Sequence, residues 1–252
     1  SFAQDVIQHI AAEPATAQTA SVETGGLVSS ADGRASAAGR EMLDAGGSAA
    51  DAAMATMLAL TVVEPQSSGI GGGGFFVYHD QQSGQTVTID GRERAPAAAR
   101  PGRFLDAAGR PRNIADAIPG GLSVGVPGNV RLAAEVHRRF GRVPWAQLFA
   151  PAIRLADEGY EVNRWLATAL TGTETRWQDF PAMRAQFFID GRPARRGEHI
   201  RNPELARLLR DVAARGPDAF YRGETARAIV TATTSAAPHN PGDMTVADLA
   251  AY

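Results

Sequence analysis

Asp90, Arg92 and Arg94 alternate within the segment Asp90-Gly91-Arg92-Glu93-Arg94-Ala95-Pro96. An arginine held at a strand end can grip a carboxylate through two parallel N–H donors. If a strand runs on through this segment, the three side chains share one face. A surface ion pair with Glu93 or Asp90 explains the same residues with no ligand, and on pattern alone that is the expected reading. Upstream, Gly69, Gly71 and Gly74 satisfy the G-x-G-x-x-G spacing of dinucleotide loops. That chemistry needs a strand before the loop and a helix N-terminus after it, where the pyrophosphate meets the helix dipole. Here a Pro-containing loop precedes and a strand-like run follows, so nucleotide binding is not expected. The glycines fit tight backbone packing instead, or a loop lying against a reaction centre where side chains would not fit.

Other chemistries are excluded by composition. The 252 residues include 25 basic and 27 acidic side chains, a formal charge of −2. Every basic one is arginine; lysine and cysteine are absent. A Schiff-base lysine, a P-loop lysine, a cysteine nucleophile, a thiolate metal site and a disulfide are therefore impossible within this sequence. The near-neutral balance gives no electrostatic footprint for nucleic acid. Arg192, Arg195 and Arg196 form a short cluster that reads as solvated surface. His9, His79, His137, His199 and His239 have no metal-ligand spacing, and no cofactor is expected. Ser67 and Ser68 precede the glycines, but no G-x-S-x-G elbow exists. No apolar run reaches the roughly 18 residues of a membrane helix; Ala52 to Val63 is too short and contains Thr56 and Thr61. Ser1 to Ile10 carries Asp5 and lacks the basic start of a signal peptide.

The elements that must position these residues are legible in outline. Residues 1–25 read as a leader with a helical fragment broken at Pro14, and Gly26 to Ser30 as a buried strand. Arg34 to Asp44 reads as a helix that stops at Gly46-Gly47. Ser48 caps a second helix to about Thr61, with Asp51 in its first turn. That helix is apolar nearly all round, which predicts central burial. Phe75 to His79 and Gln85 to Asp90 predict a hairpin. The remainder is mostly helical: Asn129 to Phe140, Pro144 to Glu158 with a break or kink at Pro151, Pro203 to Ala214, Gly223 to Thr234, and a short helix from Thr245 with Asp248 as its capping acid.

Taken together, the motifs resemble one family. Gly46-Gly47-Ser48-Ala49-Ala50-Asp51-Ala52-Ala53 resembles the G-G-[NS]-A-x-D-A-A motif of γ-glutamyltransferases (glutathione hydrolases). Val63-Glu64-Pro65-Gln66-Ser67-Ser68-Gly69-Ile70-Gly71-Gly72-Gly73-Gly74-Phe75 resembles the V-E-P-x-x-S-G-I-G-G-G-G-F of that family. Arg92-Glu93-Arg94-Ala95-Pro96 is similar to its R-E-x-A-P, and Ser123 to Gly128 to its S-V-G-V-P-G. Phe140 to Trp145 and Pro151 to Ala156 also match. Order and spacing hold from about Gly26 to Tyr252. At Ala31-Asp32-Gly33 this sequence departs from the usual His-Pro pair.

The resemblance implies an α+β fold, the αββα sandwich of N-terminal-nucleophile hydrolases, with residues 26–252 supplying the helical part and some strands as a large-subunit segment. It implies a precursor that cuts itself into large and small subunits, so the expected partner is the small subunit in a heterodimer. A threonine at the new N-terminus attacks the γ-glutamyl amide, its own α-amine serving as base. Arg92 matches the arginine that binds the α-carboxylate of the small-molecule γ-glutamyl substrate; Arg94 matches a variable position. The family's threonine sits in a T-T-H setting that this sequence lacks. Thr233-Thr234-Ser235 is not that site, so no catalytic residue is expected in this chain. The resemblance further implies a periplasmic or secreted location, with no membrane or nucleic-acid partner. Two alternatives stay open: a related acylase acting on glutaryl-cephalosporins or poly-γ-glutamate, and a non-catalytic homologue.

Overall fold

A computed structural model describes residues 26–172 and 179–252. The expected leader at 1–25 lies outside the described residues. Helix α1, Gly33–Asp44, is capped by Asp32, whose carboxylate accepts the Arg34 N–H. It ends where Gly46 takes a φ of +83°. The Gly46 N–H then reaches Leu43 O at 3.0 Å and the Gly47 N–H reaches Met42 O at 2.8 Å. This paired stop satisfies carbonyls that the helix leaves open, and it turns the chain directly into α2.

Helix α2, Ala49–Val63, starts in a reciprocal capping box between Ser48 and Asp51. Ala50, Ala52, Met54, Ala55, Leu58, Ala59, Val62 and Val63 are all buried, as are Thr56 and Thr61, so the helix is central, as its all-round apolarity predicts. The two threonine hydroxyls bond back to Ala52 O and Met57 O within the helix, which satisfies them without a partner element.

Strands β1, Gly74–Asp80, and β2, Gln85–Gly91, form the expected hairpin, with Phe76 opposite Ile89 and Tyr78 opposite Val87. Alternation sends Phe76 and Tyr78 toward the core. There they stack on Phe140, with ring centroids 6.2 and 4.3 Å away. Phe140 ends α4, Asn129–Phe140, which packs on both strands and on α2. Between hairpin and α4 lie the short α3, Ile114–Ala117, and a 3₁₀ turn at Gly121–Ser123.

The predicted helix Pro144 to Glu158 is divided: a 3₁₀ turn, Trp145–Phe149, leads into α5, Ala150–Glu158. Pro151 has no N–H to give and therefore falls in the first turn of α5, so the break precedes it by one residue. Two-residue strands β3 (Tyr160–Glu161), β4 (Phe188–Ile189), β5 (Arg192–Pro193) and β6 (His199–Ile200) pair as β3–β6 and β4–β5. Helices α6 (Arg164–Gly172) and α7 (Pro181–Phe187) lie among them. Then follow α8 (Pro203–Arg215), α9 (Asp218–Tyr221), α10 (Gly223–Thr233) and α11 (Val246–Ala250). Helix α8 packs on α5 and α9, and α11 on α9 and α10.

The expected buried strand at Gly26 to Ser30 is not formed. The segment is irregular and Leu27 is 93% exposed, although Val28 packs on the core. No strand lies beside it among the described residues, and a strand without a ladder partner leaves its backbone groups to water. No helix among the described residues is long and apolar enough to cross a membrane.

Candidate substrate site

The ladder of β2 stops at Gly91. Beyond it the Arg92 N–H donates to Asp90 Oδ1 at 2.8 Å, a local turn bond in place of a sheet bond. Pairing resumes only as a bridge between Arg94 and Val126, with N–O distances of 3.2 and 2.7 Å. The condition for Arg92 and Arg94 to share a strand face is therefore not met. Arg92 Cζ lies 6.0 Å from the Phe75 ring centroid, whereas Arg94 Cζ lies 4.7 Å from that of Tyr252.

The glycine loop is packed against this turn. A Cβ on Gly73 would stand 2.5 Å from Gly91 O and 2.6 Å from Glu93 N, so only glycine allows the two backbones to approach this closely. The start of α4 holds the loop in place. Gly72 O accepts from Gly128 N at 2.9 Å and Asn129 N at 3.1 Å, and Asn129 Nδ2 donates to Gly69 O at 2.7 Å. Strand follows the glycines, and the helix N-terminus that meets them binds a carbonyl of the loop itself. This agrees with the packing reading of the glycine run.

The Arg92 guanidinium is half-exposed at this junction. Its Nη1 lies 3.4 Å from Gly73 O and 3.3 Å from Glu93 Oε2, the latter an ion pair without hydrogen-bond alignment. Among the described residues its Nε and Nη2 meet no acceptor. An arginine with one edge steadied by the protein and the other edge open is arranged to take a carboxylate in a forked grip.

Other candidates from the sequence are placed elsewhere. The hydroxyls of Thr233 and Thr234 bond back to Ile229 O and Val230 O at 2.9 and 2.6 Å. Ser67 and Ser68 give their N–H groups to Glu64 O in a turn at 2.9 Å. Among the described residues His137 bonds Val143 O and His239 bonds Asp179, and neither has a hydrogen bond to those serines. Arg192 pairs with Glu198 at 2.6 Å, so that part of the arginine cluster is an internal clip and not bare surface charge. At Asp32, burial opposes ionisation, but the bonds from Arg34 prevail and hold the carboxyl below its usual range. Asp32 also accepts from Asn163 Nδ2 at 3.2 Å, so the departure from His-Pro at this point supplies a helix cap and a tie to α6. Sequence reasoning gave Asn129 only a place at a helix start and gave Tyr252 no role. The Tyr252 hydroxyl donates to Arg92 O at 2.6 Å.

Comparison with known proteins decides the family. The family model described as gamma-glutamyltranspeptidase matches residues 35–252. The chain belongs to the γ-glutamyltranspeptidase family. It is 38% identical over 228 residues to glutathione hydrolase 3 of Arabidopsis thaliana, covering 90% of this chain and 34% of that protein. It is 36% identical over 227 residues to the glutathione hydrolase proenzyme of Bacillus subtilis (strain 168), covering 90% of this chain and 38% of that protein. The chain thus spans little more than a third of the curated relatives it matches. The crystal structure of the Helicobacter pylori gamma-glutamyltranspeptidase superposes with a TM-score of 0.86 at 33% identity, over 92% of this chain and 65% of that one. The fold is accordingly that of the N-terminal-nucleophile hydrolases, with the helices and the β1–β2 hairpin as this chain's share.

Proposed function

We propose that residues 26–252 are a large-subunit segment of a γ-glutamyltransferase that cleaves γ-glutamyl amides such as glutathione. In this reading the chain recognises the substrate and a partner small subunit from the same precursor supplies the nucleophile. The observation that carries it is Arg92. A half-exposed guanidinium in the family's R-E-x-A-P segment stands beside the packed glycine loop, one edge steadied by Gly73 O and Glu93. Arg92 binds the α-carboxylate of the glutamyl group. The N-terminal threonine of the small subunit attacks the γ-carbonyl with its hydroxyl, its α-amine taking the proton. Backbone donors stabilise the oxyanion. The acyl-enzyme then passes the glutamyl group to water or to an amine acceptor.

Several observations support the partner. Phe75 and Val77, on the hairpin face away from α4, are 68% and 65% exposed, as suits a ribbon that a further layer covers. The names of the relatives include proenzymes. In this reading the precursor is a zymogen that cleaves itself, the product is a heterodimer, and the location is periplasmic or secreted.

The test is release of the aniline from a γ-glutamyl anilide by the isolated chain and by the assembled enzyme. Turnover is expected only from the assembly, and Arg92→Ala is expected to raise its KM at least tenfold, the loss of a charge-assisted pair. Turnover by the isolated chain would overturn the division of labour.

A further inference from the structure

The backbone of Arg92 is fixed on both sides. Its N–H is held by Asp90 Oδ1 at 2.8 Å, and its carbonyl accepts from Tyr252 Oη at 2.6 Å. Tyr252 follows α11, whose N-terminus is a capping box between Thr245 and Asp248. The two oxygens of Asp248 divide their work: Oδ2 accepts from Thr245 N at 2.8 Å, while Oδ1 accepts from Ala97 N at 2.9 Å. One short helix therefore grips the 92–97 segment at both ends. The Tyr252 ring is itself located by stacking on Tyr221, centroids 5.9 Å apart, and by Arg94 at 4.7 Å. Tyr221 in turn donates to Pro127 O at 2.9 Å. Beside it, a Cβ on Gly128 would stand 2.2 Å from Tyr252 Oη and 2.0 Å from Gly91 O. Glycine at 128 is what lets the phenol reach Arg92.

We propose that Tyr252 is a positioning residue for substrate recognition: its hydroxyl fixes the Arg92 peptide, and so the pivot from which the guanidinium meets the glutamyl carboxylate. The proposal rests on the reading of Arg92 given above. Burial pushes the Tyr252 phenol up from its usual range, in the direction that favours the protonated, donating form. Tyr252→Phe removes one hydroxyl and leaves the ring to stack on Tyr221 and Arg94.

The experiment uses the assembled enzyme. It measures kcat and KM for a γ-glutamyl anilide and the inhibition constant of L-glutamate, which carries the same carboxylate. Tyr252→Phe is expected to raise KM and the inhibition constant together, about five- to tenfold, the worth of one hydrogen bond, with kcat changed less than about twofold. A merely structural role lowers the fraction of folded enzyme, which reduces apparent kcat and leaves both constants alone. Trp145→Phe, which removes a bond from Nε1 to Val212 O at 3.0 Å far along the chain, is the matched control and should behave in that structural way. Unchanged KM and inhibition constant in Tyr252→Phe overturn the proposal. Wild-type enzyme that fails to cleave the anilide overturns the functional reading itself, and this inference with it.

Discussion

The carboxylate of Asp51 and the backbone of Arg142, 91 positions apart, meet at 2.8 Å. The same oxygen, Oδ2, accepts from Ser48 N at 2.8 Å, Ser48 Oγ at 3.1 Å and Val143 N at 3.3 Å. Asp51 is 1% exposed. A residue that belongs to the capping box of α2 thus also closes the loop that ends α4, the helix which holds the hairpin and the glycine loop. Its place in the G-G-S-A-A-D segment is structural.

Asp51→Ala should accordingly be severe. It leaves three N–H groups without an acceptor, those of Ser48 and Val143 buried and that of Arg142 partly so, a loss on the order of 3–5 kcal/mol in sum. Asp51→Asn should cost clearly less. It keeps an acceptor toward those donors and puts its amide nitrogen where Oδ1 now has no hydrogen-bond partner. Equilibrium denaturation of the two variants checks the order; equal losses would show that the charge and not the acceptor geometry matters.

Glu198 gives a pH signature. Two bonds from Arg192, at 2.6 and 2.9 Å, and one from Arg195 N at 2.7 Å draw its pKa down from 4.5 to about 2. A carboxyl with a depressed folded-state pKa contributes stability that is complete above its unfolded value near 4.5 and is lost as pH falls toward about 2. The slope of stability against pH over that window should be shallower in Glu198→Gln than in the wild type. Acid titration of the denaturation midpoint measures it, and identical slopes would count against the clip.

Periodicity and capping residues made the long helices and the hairpin legible. Ser48 with Asp51, Thr245 with Asp248, and Gly46-Gly47 each carry a local signal that packing did not override. The two-residue strands were not legible, because Tyr160–Glu161 and His199–Ile200 are too short to show alternation. Gly26 to Ser30 was misread because β-branched and apolar content says nothing about whether a ladder partner exists. At the candidate site, the motif singles out Arg92, and the failed dinucleotide context points to packing of the glycine loop. The tie from Tyr252 was not legible, since a contact across 160 positions leaves no trace in local sequence.

The glycine run offers a contrast within three residues. A Cβ at Gly73 meets backbone atoms at 2.5 to 2.8 Å, which cannot swing aside, whereas one at Gly71 meets nothing within 4 Å. Gly73→Ala should destabilise by about 1–3 kcal/mol through overpacking. Gly71→Ala should be neutral or stabilising by up to about 1 kcal/mol, because it restricts only the unfolded chain. Denaturation curves for the pair decide it; a loss at Gly71 matching that at Gly73 would mean that the loop demands glycine for its backbone angles and not for space.

Replacing Arg92 by lysine separates charge from shape. Lysine keeps a positive charge at the end of β2 but offers a single ammonium in place of a planar fork. If the site needs only charge, Arg92→Lys restores most of what Arg92→Ala loses. The open Nε and Nη2 edge argues for the fork, so lysine should recover no more than about a tenth of the wild-type kcat/KM on a γ-glutamyl anilide, a deficit of at least 1.4 kcal/mol. The effect should lie in KM, because the carboxylate is far from the bond that breaks and is held alike in ground and transition states. Steady-state kinetics on the assembled enzyme reads both parameters, and a loss confined to kcat would overturn the assignment of Arg92 to ground-state binding.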